Sequence, residues 1–156
     1  MIFITLGSQK FQFNRLLKAV DELIVNGLDE VVFAQIGYSD YRPVNFKYKE
    51  FLDREEFSRV MAKSDIIITH GGTGAIIGAL KKGKKIIAVP RLAKYKEHVD
   101  DHQLQLIAQF KELDLIYACE DMDLKSALET VKKTKYKEYK SNTQTIIDSL
   151  EEIIER

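Results

Sequence analysis

Residues 66–69 read Ile-Ile-Ile-Thr and are followed within a few positions by Gly71, Gly72 and Gly74, and then by Ile76, Ile77 and Leu80 at helical spacing. A run that is apolar at every position has no solvent face, so it predicts a strand buried on both sides. The switch from a continuous apolar run to a period near 3.6 predicts that the chain leaves this strand through a glycine turn directly into a helix. A strand covered on both faces and joined to a helix is the repeating unit of a parallel α/β sheet.

The rest of the chain repeats that pattern. Short apolar runs at residues 2–6, 31–36, 48–52, 86–89 and 115–118 predict further strands. Between them, Phe13, Leu16, Leu17, Val20, Leu23 and Ile24 share one helical face, with Gly27 placed as a C-terminal stop. Phe57, Val60 and Met61 predict a short helix, and Gly83 closes the helix through Leu80. A further helix runs from about Asp101 through Leu104, Ile107 and Ala108. Another starts near Asp123 and carries Leu124, Ala127, Leu128 and Val131. Ile146, Ile147, Leu150, Ile153 and Ile154 mark a last amphipathic helix, expected to pack on its own sheet. The expected fold is a single Rossmann-like, doubly wound parallel sheet, with residues 1–156 as one domain.

Composition narrows the function. Lys plus Arg and Asp plus Glu both number 24, so the formal charge of zero lacks the basic excess of a nucleic-acid binder. The single cysteine, Cys119, excludes an internal disulfide. The three histidines show no zinc spacing with a third ligand, so no metal is expected. No apolar run approaches the roughly 20 residues of a membrane span. The first residues lack the basic start of a secretory signal. The expectation is a soluble, reduced, cytoplasmic domain.

In open α/β sheets ligands bind beyond the carboxyl ends of the strands, so three loops are candidates. The first contains Gly7, Ser8 and Gln9, which taken alone read as an ordinary tight turn, with close backbone approach at Gly7 and the Ser8 hydroxyl as the functional alternative. The second is Thr69-His70-Gly71-Gly72-Thr73-Gly74. Its glycines remove side-chain obstruction, and the helix behind it adds a partial positive charge of about 0.5 e. That combination suits phosphate or pyrophosphate. No Lys-Ser/Thr follows the last glycine, so it is not a Walker loop. A packing turn is its plain reading. The third loop, residues 89–103, holds Arg91, Glu97, His98, Asp100, Asp101, His102 and Gln103. Its carboxylates and amides suit sugar hydroxyls, while a simple N-cap is the competing role for Asp100 or Asp101.

Other features have plain explanations. Asp121-Met122-Asp123 has the spacing of metal-dependent sugar transferases, yet Asp123 fits a helix N-cap. Residues 132–140 hold five lysines and are read as a solvated face, with anionic lipid as the alternative. Cys119 is read as a small buried hydrophobe.

Taken in order and spacing, Phe51-Leu52-Asp53, the stretch from Ser64 to Gly74, and Asp101-His102-Gln103 resemble the C-terminal half of family 28 glycosyltransferases. That half is the donor-binding domain of the two-domain GT-B fold. The resemblance extends over nearly the whole chain, including the third loop from Val89 to Gln103. It implies that Phe51 and Leu52 meet uracil, and that His70, Gly71, Gly72, Thr73 and Gly74 hold a diphosphate. It further implies that Asp101, His102 and Gln103 contact the donor sugar, and that Gly7, Ser8 and Gln9 lie across the cleft near the reacting centre. Family members commonly carry a ribose-binding glutamate where this chain has Gly78, so either Glu97 substitutes for it or the ribose is bound differently.

The resemblance implies a UDP-sugar donor, no cofactor and no metal. It also implies that the half carrying the catalytic base belongs to another polypeptide. The expected arrangement is the donor-binding catalytic subunit of a split inverting transferase. It would move a hexose or N-acetylhexosamine to a lipid-linked saccharide in capsule or exopolysaccharide assembly. The chain would sit at the inner face of the membrane through a membrane-anchored, acceptor-binding partner. No catalytic residue is assigned. The alternative is a noncatalytic activator that docks on a separate glycosyltransferase.

Overall fold

The computed structural model describes residues 1–140. The apolar stripe from Ile146 to Ile154 therefore lies outside the described residues. Six strands form one sheet: β1 (Ile2–Thr5), β2 (Val32–Gln35), β3 (Lys47–Lys49), β4 (Ile66–His70), β5 (Lys85–Val89) and β6 (Tyr117–Ala118). Five α-helices join them: α1 (Asn14–Val25), α2 (Arg54–Lys63), α3 (Thr73–Lys81), α4 (His102–Glu112) and α5 (Leu124–Lys133). A short 3-10 turn spans Ala93–Tyr95.

The strand order is β3-β2-β1-β4-β5-β6 and every pairing is parallel. The chain builds outward from β1 to β3, then returns to place β4 on the other side of β1. The strand-to-helix connections therefore diverge between β1 and β4, where a crevice for ligands opens at the carboxyl ends. Ile4 pairs in register with Ala34 on one side and Ile68 on the other, so β1 is central.

Alternation along each strand divides the core between the two faces of the sheet. Ile2, Ile4, Ile66 and Ile68 pack with Leu16, Leu17 and Val20 of α1 and with Leu124 and Leu128 of α5. Phe3, Ile67 and Ile86 face the other way, onto Met61, Ile76, Leu80, Ile107 and Phe110 of α2, α3 and α4. Burying both faces is why β1 and β4 are apolar almost throughout.

Two strands are shorter than the apolar runs suggest. The third pairs only over Lys47–Lys49, because Asp53 ends the extended segment by capping α2 through the Glu56 N–H at 2.8 Å. The sixth is Tyr117–Ala118, because Leu115 is still turning off α4, its N–H bonded to the Phe110 carbonyl at 3.2 Å. Leu115 and Ile116 are nevertheless buried, which explains their apolar character. Gly27 and Gly83 take positive φ at the ends of α1 and α3, as their helix-stop positions require. Asp123 caps α5, accepting from the Ser126 N–H at 3.1 Å.

Candidate functional site at the divergence of the central strands

The β1 and β4 loops meet around one imidazole. His70, the last residue of β4, is buried between Gly7 and Gly72. A Cβ on Gly7 would lie 2.7 Å from His70 Nε2, and one on Gly72 would lie 2.2 Å from its Cε1. These two glycines thus leave room for the ring. Gly71 has a similar task, since a Cβ there would stand 2.7 Å from Gln103 Cβ. Burial and the nearby Arg91 charge push the His70 pKa down to about 3, so the ring is neutral at ordinary pH.

Helix α3 begins next to this ring. Its N-cap is Gly72, which has no side chain to cap the first amides. The Thr73 hydroxyl oxygen is buried without a partner among the described residues. Space above Gly74 is open, with nothing within 4 Å of a Cβ built there. The Gly71 N–H, by contrast, already donates to Gln103 Oε1 at 3.0 Å. The uncapped turn therefore consists of the amides from Thr73 onward, beside an orphaned hydroxyl and a buried imidazole. Such an arrangement suits an anion.

Arg91 fixes the loop that faces α3. Its side chain is buried, with Nη2 donating to the Leu6 carbonyl at 2.6 Å and Nη1 to Phe11 and Gln12 at 3.0 and 3.2 Å. The guanidinium thereby holds the backbone around the exposed Ser8 and Gln9. Desolvation lowers its pKa to about 10, which still leaves it charged at neutral pH.

The third loop places its polar residues very differently from one another. Glu97 is fully buried and does not face the cleft. Its carboxylate accepts from Arg15 Nε at 3.0 Å, Arg15 Nη2 at 2.9 Å and the Leu92 N–H at 3.0 Å. It cannot serve as the expected ribose ligand while so engaged. Asp101 is exposed but accepts from the Ala93 N–H at 2.9 Å, closing the 3-10 turn. Asp100 takes the capping role at α4, accepting from the His102 N–H at 3.0 Å. It also contacts both His98 Nδ1, at 3.0 Å, and His102 Nδ1, at 3.4 Å. His102 keeps 44% of its side chain exposed, so it remains available to a ligand. Gln103 is buried, and its amide binds the interior. No group of three or more His, Cys, Asp or Glu suited to a metal occurs among the described residues.

Beyond β3, Phe51 is 45% exposed and meets the equally exposed Tyr38 edge-on, ring centres 5.2 Å apart. Leu52 packs inward against the second core layer. Tyr38 and Arg91 are the residues that sequence reasoning left without a role. For Arg91 a signal existed: an arginine directly following an apolar strand and a proline. For Tyr38 the sequence carried none. A broad groove between α1 and α5, lined by Leu23, Leu28, Met122 and Leu128, lies away from these loops. An amide-built anion site needs no such deep cavity.

The model of the "Glycosyltransferase family 28 C-terminal domain" matches residues 1–156. No curated protein is significantly similar. Among solved structures, the glycotransferase of kitacinnamycin matches 99% of this chain and 38% of its own, at TM-score 0.65 and 17% identity. The solution structure of ALG13 matches 88% of this chain and 87% of its own, at TM-score 0.58 and 21% identity. MurG of Acinetobacter baumannii matches 85% of this chain and 41% of its own, at TM-score 0.52 and 19% identity. The chain thus spans about two fifths of the kitacinnamycin glycotransferase and of MurG, and most of ALG13. At these identities the likeness is one of fold.

Proposed function

Because this chain belongs to the glycosyltransferase family 28 C-terminal domain family, we propose that it binds the nucleotide-sugar donor for a transferase whose acceptor-binding half is a separate polypeptide. The observation that carries this reading is the uncapped start of α3 beside the orphaned Thr73 hydroxyl and the buried His70 ring. A UDP-sugar would lay its diphosphate across Thr73, Gly74 and Ala75, with uracil toward Phe51 and the sugar toward His102. Glu97 is enclosed, so it is not assigned to the ribose.

In the transfer step the acceptor hydroxyl attacks the anomeric carbon as the bond to the diphosphate breaks, inverting that centre. Negative charge grows on the departing UDP. Fixed amide donors and the helix dipole stabilise that charge without having to reorganise. The acceptor proton needs a base, which we assign to the partner, as the family resemblance implies. The partner is membrane-anchored and the acceptor is a lipid-linked saccharide, a hexose or N-acetylhexosamine being the group moved. No helix among the described residues is long and apolar enough to cross a membrane.

The test is a calorimetric titration of UDP into the chain and its Gly74→Glu variant. A Cβ at Gly74 meets nothing within 4 Å, and a carboxylate in the first helical turn favours folding. UDP affinity should fall at least about ten-fold while thermal stability holds. Unchanged affinity would remove the diphosphate from this helix. Labelled UDP-sugar and a lipid acceptor, with and without the membrane partner, then separate a catalytic subunit from an activator. His102→Ala abolishes turnover in the first case and has a mild effect in the second.

A further inference from the structure

Gln103 is the first turn of α4 reaching into the interior, and its amide sits among three groups of fixed character. The backbone N–H of Gly71 donates to its Oε1 at 3.0 Å, and the backbone N–H of Arg91 donates to the same atom at 3.1 Å. Backbone amides can only donate. The end of the side chain that meets them must therefore be the carbonyl, and the amide cannot be turned the other way without setting an NH2 against two N–H groups. The NH2 end is left facing His70 Nδ1, at 3.2 Å. An NH2 group can only donate as well, so Nδ1 must be the bare nitrogen of the ring. The neutral imidazole then carries its one proton on Nε2.

That nitrogen is the one beside Gly7, at the crevice between the β1 and β4 loops. Among the described residues Nε2 has no hydrogen-bond partner. His70 is 5% exposed, yet Nε2 is not among the enclosed polar atoms left without a partner, so this nitrogen is the part of the ring that water or a ligand can reach.

We propose that Gln103 is a positioning residue that locks His70 in its Nε2–H form, so that the ring presents a permanent single donor to an anionic oxygen held between Gly7 and the start of α3. The chain of control runs from two strand-end amides to a glutamine and then to the imidazole. It gives Gln103 a task different from touching the sugar, and it explains why its side chain is buried. The identity of the oxygen rests on the diphosphate reading above. The tautomer does not, and the two are tested separately.

The experiment is long-range proton–nitrogen NMR on the histidine rings of the full chain, without nucleotide, from pH 7.5 to 5. His70 should show a protonated Nε2 and a bare Nδ1 over the whole range. A protonated Nδ1, or a doubly protonated ring, in the wild type at pH 7 would overturn the proposal without need of any variant. Gln103→Glu provides the converse. Its carboxylate can accept from Gly71, from Arg91 and from a protonated Nδ1, so the His70 Nδ1 resonance should move to the protonated range. A merely structural glutamine would change stability and leave the ring's protonation pattern as it was, and that result also contradicts the proposal. Should Gln103→Glu fail to fold, Gln103→Met serves: the Nε2–H signature should give way to a mixture of the two neutral forms, and retention of pure Nε2–H would count against Gln103. UDP added to the wild type should shift the Nε2 resonance. If the tautomer is as stated and UDP leaves it unmoved, the diphosphate reading fails and the role of Gln103 stands.

Discussion

Arg15 and Glu97 form a two-point ion pair across 82 positions of sequence, Nε to Oε2 at 3.0 Å and Nη2 to Oε1 at 2.9 Å. The pair ties the first turn of α1 to the loop after β5. Glu97 is enclosed, while Arg15 lies partly open and stacks on Tyr95 with its guanidinium carbon 4.6 Å from the ring centre.

Breaking one side of this pair strands the other. Arg15→Ala leaves a buried carboxylate hydrogen-bonded by the Leu92 N–H, with the Arg91 charge as its remaining electrostatic partner. We expect a loss of about 2–3 kcal/mol in unfolding free energy, below the usual cost of an uncompensated buried charge because the Arg91 charge remains close to Glu97. Arg15→Lys should recover only part, because an ammonium cannot reproduce the forked geometry. Urea unfolding of both variants measures this. A loss below about 1 kcal/mol for Arg15→Ala would show that the pair behaves as a surface bridge.

His70 makes stability depend on pH. Its pKa in the folded protein is lowered to about 3, against an ordinary value of 6.5. Between those limits the unfolded chain takes up a proton that the folded ring refuses. The folded state therefore loses stability as pH falls below about 6.5, by up to about 1.4 kcal/mol per pH unit. His70→Asn should flatten the slope between pH 6.5 and 4.5 in urea unfolding. An equal slope in the variant would place the protonation elsewhere.

Gly78 offers a test of the missing ribose ligand. It lies on the exposed side of α3, and a Cβ built there meets nothing within 4 Å. Gly78→Glu should stabilise the helix by about 0.5 kcal/mol through propensity alone. It should also tighten UDP about ten-fold, the worth of roughly one charge-assisted hydrogen bond. The gain should vanish with 2′,3′-dideoxy-UDP. An equal gain for both nucleotides would mean that the carboxylate acts without touching the ribose.

The layered architecture is legible because the strand runs of β1, β4 and β5 are apolar almost throughout, and such runs between amphipathic helices fit a sheet buried on two faces. Strand ends were less so. Leu115 and Ile116 look like strand and are buried as a turn, since hydrophobicity reports burial and not pairing. The β4 loop is harder still. Its glycines suggest close approach by a ligand, yet Gly71 and Gly72 make room for Gln103 and His70, and only Gly74 of the three is open. Both uses delete the same Cβ, so the sequence cannot separate them. Glu97 illustrates the same limit. An acid in a polar loop reads as a surface ligand until Arg15, far away in sequence, folds over it.

The central claim is that the amides opening α3 receive a diphosphate. Titrating UDP into nitrogen-15-labelled protein reads each amide separately. The account predicts that Thr73, Gly74 and Ala75 move most, with Gly7 and Ser8 following and the α1–α5 groove silent. Shifts concentrated at Leu23, Leu28 and Met122, or none at the start of α3, would contradict it.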